Sequence, residues 1–363
     1  MSDNTPTPPL GAAEKSGGKR KGWLSRKKQA MEKVDALRSA KEMADVFFGT
    51  NSEISKRIGS ELRFRRLKAI LGGEIVKFLR IHEHERLDQL ELFTLITGID
   101  LAKEIESTDE ALIIGGIKLP RPLNEADRFL FEGELADIVL PSYLKRKSGN
   151  FDPVIAENSR AIHESLASFF EGPYEDGNVC FKEGDIVFDC GANMGLFSAV
   201  ASRYGCKVFA FEPIPDTIDN YLSKTASMNG NICVCNFAVW DKEETLDFSM
   251  MLDNIGASRC DSALEEKQLS KSRKQFTVPA ITLDAFVEQN GIGRVDFIKA
   301  DIEGAERNML CGATRILKEF APKLSICTYH LPDDPEVLRE IILVANPKYQ
   351  IVEKFKKMYA YVP

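Results

Sequence analysis

The chain has 363 residues, 44% hydrophobic and 28% charged, with a formal net charge of -7. This size and mix fit a globular protein of one large or two ordinary domains, and exclude a disulfide-stapled miniprotein or a low-complexity chain. The acidic balance argues against a nucleic-acid binder taken as a whole, and no run of 18 apolar residues predicts a membrane span.

The charge is unevenly spread. Residues 1–80 hold 18 Lys and Arg against 9 Asp and Glu, a net of +9, which leaves -16 for the rest. The first 20 residues, rich in Pro, Gly, Ser and Lys, are expected to form a disordered tail. They contain no apolar stretch after their charges, so no signal peptide is expected and the expected location is the cytoplasm. All eight cysteines fall between Cys180 and Cys327 without zinc-site spacing, which predicts reduced thiols, not a disulfide framework or a metal site.

Residues 21–150 read as a mostly helical, basic region with one short hairpin. From Ser25 to Leu90, apolar residues recur at three- and four-residue intervals between charges. Arg63, Arg65, Arg66 and Lys68 gather on one of these helices. Docking to an anionic partner or self-association is one expectation for that face, a solvated surface the simpler one. The hairpin is expected within Ala111–Leu119, around Gly115-Gly116. A helix is expected near Glu157–Phe170.

From Asp185 onward strands and helices alternate, and residues 151–363 are expected to form one catalytic domain. Strands are expected at Ile186–Asp189, Lys207–Phe211, Ile232–Phe237, Val295–Lys299 and Lys323–Thr328. Helices are expected up to about Tyr204, at Asp216–Met228, Leu283–Gln289, Gly304–Phe320 and Asp334–Ala345. Thr245–Met250 and Gln275–Ala280 look extended and flank the polar stretch Asp253–Lys274, expected to help form an acceptor pocket or lid. Tyr349–Phe355 and Lys357–Val362 close the chain as a strand pair. The β-α-β order predicts a Rossmann-like, doubly wound, mainly parallel α/β sheet, with ligands outside the carboxyl ends of its strands.

The strongest motif is Val187-Phe-Asp-Cys-Gly-Ala-Asn-Met-Gly195. Asp189 ends a strand, where its carboxylate can hold the turn and reach a ligand amine. Gly191 and Gly195 clear the backbone around Asn193, and the N–H groups at the following helix start face a polar ligand. Twenty-three residues after Asp189, the next strand ends in Phe211-Glu-Pro213, placing Glu212 to accept the ribose hydroxyls of a nucleoside. A dinucleotide turn needs a further glycine for its pyrophosphate, and this turn lacks it. An acidic residue before the turn suits a cofactor with a cationic amino-acid end, S-adenosylmethionine, better than NAD.

The stretch from about Glu171 to Pro363 resembles the FkbM family of methyltransferases. The likeness runs through Gly184-Asp-Ile-Val-Phe-Asp-Cys-Gly-Ala-Asn-Met-Gly-Leu-Phe197, Ala210-Phe-Glu-Pro-Ile-Pro215, Asn236-Phe-Ala-Val-Trp-Asp241 and Thr282-Leu-Asp284. It continues through Val295-Asp-Phe-Ile-Lys-Ala-Asp-Ile-Glu-Gly-Ala-Glu306 and Lys323-Leu-Ser-Ile-Cys-Thr-Tyr-His330. Ile214 stands where the family often has Asn, and Ala300 where it often has a β-branched aliphatic. The resemblance implies O-methyl transfer from S-adenosylmethionine to a hydroxyl of a sugar, glycan or secondary metabolite, a small-molecule or glycan acceptor in each case.

For that chemistry Asp301, at the end of a central strand, is expected to position the acceptor hydroxyl, take its proton, or bind a divalent metal that does so. Glu303 and Glu306 lie close enough in sequence to share the site, though Glu306 is expected to face solvent or pair with the helix dipole. His330 follows the next strand and, at its ordinary pKa, is the second expected base. Tyr174 is expected to close over the cofactor's amino-acid end, and Asn236 and Ala238 to read the adenine edge. The competing functions are a non-catalytic scaffold that binds a nucleoside cofactor and an RNA-directed methyltransferase using the basic N-terminus. The motifs of base-amine and cytosine-carbon methylation are absent, so a nucleic-acid partner is not expected.

Overall fold

A computed structural model describes residues 101–147, 173–251, 259–260, 273–354 and 356–363. The tail, the basic helices up to Leu90, the helix expected near Glu157–Phe170 and most of Asp253–Lys274 lie outside these residues. Chain contacts define two units, Met1–Arg86 with Glu157–Leu166, and Leu87–Ala156 with Ala167–Pro363. The segment 101–147 and the sheet strands from Ile186 onward fall in the same unit.

That segment opens with a three-stranded antiparallel sheet, β1 (Ile105–Ser107), β2 (Ala111–Ile114) and β3 (Ile117–Pro120). The expected hairpin is β2–β3, and β1 was not foreseen. Gly115 and Gly116 both take positive φ, 57° and 85°, the conformation that a two-residue hairpin turn with the strands' own twist demands. Helix Glu125–Glu134 follows, capped by Asn124, whose side chain accepts the Asp127 N–H at 2.9 Å. It widens into a π-helical turn at Leu135–Val139 and resumes as helix Leu140–Lys147.

The later strands are β4 (Ile186–Cys190), β5 (Lys207–Phe211), β6 (Ile232–Cys235), β7 (Ala238–Val239), β8 (Glu244–Met251), β9 (Arg259–Cys260), β10 (Arg273–Ile281), β11 (Phe297–Ala300), β12 (Lys323–Cys327), β13 (Gln350–Lys354) and β14 (Lys357–Tyr361). Seven of them form one sheet in the order β13-β14-β12-β11-β4-β5-β6. Neighbours from β6 to β12 run parallel, and β14 and β13 pair antiparallel at the far edge. The chain winds outward from β4 to β6 and then from β11 to β12. The reversal between β4 and β11 opens a crevice at their carboxyl ends. This is the doubly wound α/β fold predicted.

Alternation along the strands decides which side chain meets which layer. Phe188, Phe209 and Phe211 face Phe286 with ring centroids 4.7 to 5.8 Å apart. Val187 and Asp189, one position out of phase, face the opposite layer, where Phe297 stacks on Phe197 of helix Leu196–Arg203 at 6.0 Å.

Two expectations needed correction. The helix expected over Gly304–Phe320 is two short helices, Glu306–Cys311 and Thr314–Glu319. At Gly312 a Cβ would lie 2.1 Å from the Trp240 carbonyl oxygen, so the backbones touch and the helix must break. The strand expected over Ile232–Phe237 ends at Cys235, and Ala238–Val239 crosses to pair with β10 in a second sheet of order β7-β10-β8-β9.

Candidate active site

The parallel register of β4 and β11 sets Asp189 directly beside Lys299. Both side chains are buried, and Lys299 Nζ stands 3.1 Å from Asp189 Oδ1. The Ser198 hydroxyl donates to Asp189 Oδ2 at 2.6 Å, and Lys299 also donates to the Gly191 carbonyl at 2.6 Å. Burial opposes the ammonium charge, but Asp189 and Asp301 outweigh it and push the Lys299 pKa upward. Asp189 thus acts on the turn through Lys299. Its carboxylate is engaged by Ser198 and Lys299.

The turn is as tight as its glycines imply, for a different reason. Gly191 has φ of 75°, and a Cβ there would lie 1.9 Å from the Asp301 carbonyl oxygen. A Cβ on Gly195 would lie 2.7 Å from Leu222 Cδ1, so that glycine admits a neighbouring helical turn. Gly191→Ala is expected to cost about 1–3 kcal/mol in strained backbone conformation, before the clash is counted. Denaturant titration should show the midpoint fall, and an unchanged midpoint would mean that the turn does not pack on Asp301.

Asn193 sits between two carboxylates. Its N–H donates to Glu212 Oε2 at 2.8 Å, and its side-chain Nδ2 donates to Glu134 Oε1 at 2.7 Å. Glu212 Oε1 also accepts the Ile214 N–H at 3.0 Å. Burial raises the Glu212 carboxyl to about 7 and Glu134 to about 8. Glu212 is the expected rim carboxylate. Glu134, from the last turn before the π-helical widening, was not foreseen.

Across the crevice, at the end of β11, Asp301 Oδ2 accepts the Tyr174 hydroxyl at 2.6 Å, and Oδ1 accepts the Tyr329 hydroxyl at 3.4 Å. Burial would raise its pKa, but Lys299, His330, Lys357 and the Tyr174 hydrogen bond prevail and hold it below the ordinary carboxylate range. Tyr174 is buried, with Lys357 Nζ over its ring at 4.3 Å and Lys299 Nζ at 5.2 Å. It therefore anchors Asp301.

His330 and Glu306 depart from expectation. Glu306 is fully buried and does not face solvent; it accepts the N–H groups of Ile302 at 2.9 Å and Gly304 at 3.0 Å. His330 Nδ1 stands 2.9 Å from Glu306 Oε1, and Nε2 stands 3.5 Å from Asp301 Oδ1 and 3.8 Å from Glu303 Oε2. Burial disfavours the imidazolium, but these carboxylates overcome that and raise His330 to about 9. It is a cation at neutral pH, not a histidine near its ordinary pKa. Asp301, Glu306 and His330 each place one ligand-type atom within 4.8 Å of the others, the donor set of a divalent metal site among the described residues. With both ring nitrogens facing carboxylates, a proton on His330 balances the same charges.

These pKa values set the sign of the pH dependence. Glu212, Glu134 and His330 all bind protons more tightly folded than unfolded, so each adds stability that is lost as pH rises through about 7, 8 and 9 respectively. The ligand-free melting temperature should fall steadily from about pH 6 to pH 9. Glu212→Gln should flatten that fall, and a wild-type curve rising with pH would contradict the assignment.

Asn236 is exposed just beyond β6, and Ala238 is buried in β7 opposite Ala280. The Ala238 methyl packs with Trp240, Leu246 and Phe248 in a satellite core. Only Asn236 of this pair presents its side chain at the surface.

Residues 189–362, from the buried Asp189 to the end of β14, match the model of the methyltransferase FkbM domain. This stretch is similar to FkbM-family methyltransferase domains. Two curated relatives share this domain at low identity. Hexuronic acid methyltransferase AglP of Haloferax volcanii is 25% identical over 172 residues, covering 47% of this chain and 67% of that protein. The 31-O-demethyl-FK506 methyltransferase FkbM of Streptomyces tacrolimicus is 25% identical over 171 residues, covering 40% of this chain and 65% of that protein. The chain thus spans about two thirds of the length of the curated relatives it matches. A solved FkbM methyltransferase from Methylobacillus flagellatus KT superposes with a TM-score of 0.40 at 21% identity, over 57% of this chain and 53% of that one. The FkbM match begins at Asp189, 55 positions after Glu134, which is nonetheless hydrogen-bonded to the domain's turn.

Among the described residues no helix is long and apolar enough to cross a membrane.

Proposed function

We propose that this protein is an S-adenosylmethionine-dependent O-methyltransferase acting on a hydroxyl of a sugar or glycan. One observation carries the reading: adjacent strands β5, β4 and β11 bring Glu212 and Asp301 to opposite sides of one glycine turn. Glu212 accepts one backbone N–H on each carboxylate oxygen, which leaves a second lone pair on each for the vicinal hydroxyls of a ribose. The donor set therefore fits an adenosyl cofactor. Glu134 and Glu212 flank the turn, and each can give up its proton to balance a cationic ligand, which favours a cationic cofactor over the anionic pyrophosphate of NAD.

S-adenosylmethionine, when bound, supplies a methyl group already activated on a sulfonium. The protein's task is alignment and proton removal. Asp301, kept anionic by Lys299, His330 and Lys357 and oriented by the Tyr174 hydroxyl, accepts a hydrogen bond from the acceptor hydroxyl and then its proton. An alcohol oxygen becomes strongly acidic once it is alkylated, so a carboxylate of low pKa is basic enough. His330, as a cation, holds Asp301 in its charged form. The sugar acceptor is supported by one relative, a hexuronic acid methyltransferase, and transfer to oxygen by the other, a 31-O-demethyl-FK506 methyltransferase.

The test is calorimetric titration with S-adenosylmethionine, its demethylated product and NAD, followed by an acceptor screen that starts with uronic acids. Binding of the first two without NAD is expected. Binding of NAD alone would overturn the reading. Glu212→Ala should weaken binding of both adenosyl ligands by about 1–3 kcal/mol, through loss of charged hydrogen bonds.

A further inference from the structure

We infer that Glu134 receives the ammonium group of the cofactor's amino-acid end, so that the segment Glu125–Lys147, outside the FkbM match, completes the cofactor site. The inference rests on the adenosyl cofactor proposed above. Three observations lead to it.

The first is elimination. A carboxylate near the β4 turn gives the ammonium of an amino-acid end bound there a charge-assisted hydrogen bond, stronger than a carbonyl can offer. Asp189, the residue the sequence offers, is fully buried and already met by Ser198 at 2.6 Å and Lys299 at 3.1 Å. Asp301 takes the Tyr174 hydroxyl and lies at the reacting side of the crevice. Glu212 is committed to the Asn193 and Ile214 N–H groups at the ribose side. Of the two carboxylates that the described residues set on Asn193, Glu134 is the one that remains.

The second is placement. Glu134 Oε1 accepts Asn193 Nδ2 at 2.7 Å, and the same Asn193 donates its N–H to Glu212. One residue, in a left-handed conformation at φ of 48°, therefore spaces the two carboxylates along the turn. Glu134 is half-buried, unlike Asp189, so a ligand in the crevice can reach it.

The third is the helix itself. Glu134 is the residue at which the α-helix widens into the π-helical turn Leu135–Val139. Such turns are rare and re-aim the side chains beside them, and they occur often at functional sites. Burial holds the Glu134 carboxyl at about 8, a proton retained where a ligand ammonium would otherwise supply the positive charge.

The test compares ligands with and without the amino-acid end. Wild type and Glu134→Gln are titrated calorimetrically with S-adenosylmethionine, S-adenosylhomocysteine and 5′-methylthioadenosine. Gln keeps the acceptor for Asn193 and removes only the charge. Glu134→Gln should weaken the first two about 10- to 100-fold, the range expected for a charged hydrogen bond, and change methylthioadenosine less than about 2-fold. Equal affinities for S-adenosylmethionine would overturn the inference, and so would a parallel loss with all three ligands. Glu134→Asp, which keeps the charge and shortens its reach, should fall between the two. Should wild type bind none of the three, the cofactor reading itself fails. A wild type that binds all three with an indifferent Glu134→Gln removes Glu134 alone.

Discussion

Asp301→Asn is expected to lower turnover about 10²- to 10⁴-fold, the span usual for loss of a positioned general base. Asn has the same shape, and its side-chain oxygen still accepts the Tyr174 hydroxyl that lies 2.6 Å from Asp301 Oδ2. What it lacks is the negative charge that receives a proton. The loss should therefore fall on kcat, with S-adenosylmethionine affinity nearly unchanged. Stopped assays at saturating cofactor and a parallel calorimetric titration separate the two quantities. Full activity in the variant would end the catalytic role of Asp301. His330→Gln probes the same charge from behind. If the imidazolium holds Asp301 anionic, its loss should raise the lower limb of the pH–rate profile, which a merely packed histidine would leave in place.

Lys299→Met should destabilise the fold by about 3–5 kcal/mol, the cost of leaving a buried charge without its partner. Asp189 is fully buried, and among the described residues its carboxylate meets, beside Lys299, the Ser198 hydroxyl. Lys299 also closes the turn by donating to the Gly191 carbonyl at 2.6 Å, a bond that methionine cannot make. Urea unfolding followed by circular dichroism gives the midpoint. The double variant Asp189→Leu with Lys299→Met should recover much of the loss, because the pair's own net contribution is small beside the cost of breaking it. A single variant within 1 kcal/mol of wild type would show that water reaches the pair.

Lys299 also shows how far sequence could have gone. A lysine in the apolar strand Phe297-Ile-Lys-Ala300, central in a parallel sheet, demands a buried anion. The parallel pairing of β4 with β11 names Asp189 as that anion, so the pair was within reach of sequence once the strand order was known. Asp301, Glu212, Gly191 and Gly195 were legible directly, because their positions at strand ends and in a turn follow from local periodicity. His330 was legible as a rim residue but not as a cation. Its charge comes from Glu306, which is held inward by the N–H groups of Ile302 and Gly304, an arrangement not visible in a helical pattern.

The strand and helix order, the class of fold, the glycine turn and the two rim carboxylates were determined by the sequence itself, because each is written in residues a few positions apart. Long-range contacts decided the rest. Tertiary packing turned Asp189 inward onto Lys299, protonated His330 between acids from another loop, and carried Glu134 across 59 positions to Asn193. Burial and charge at these sites depend on what the fold sets opposite each side chain, and no local pattern encodes the identity of a partner from a distant segment.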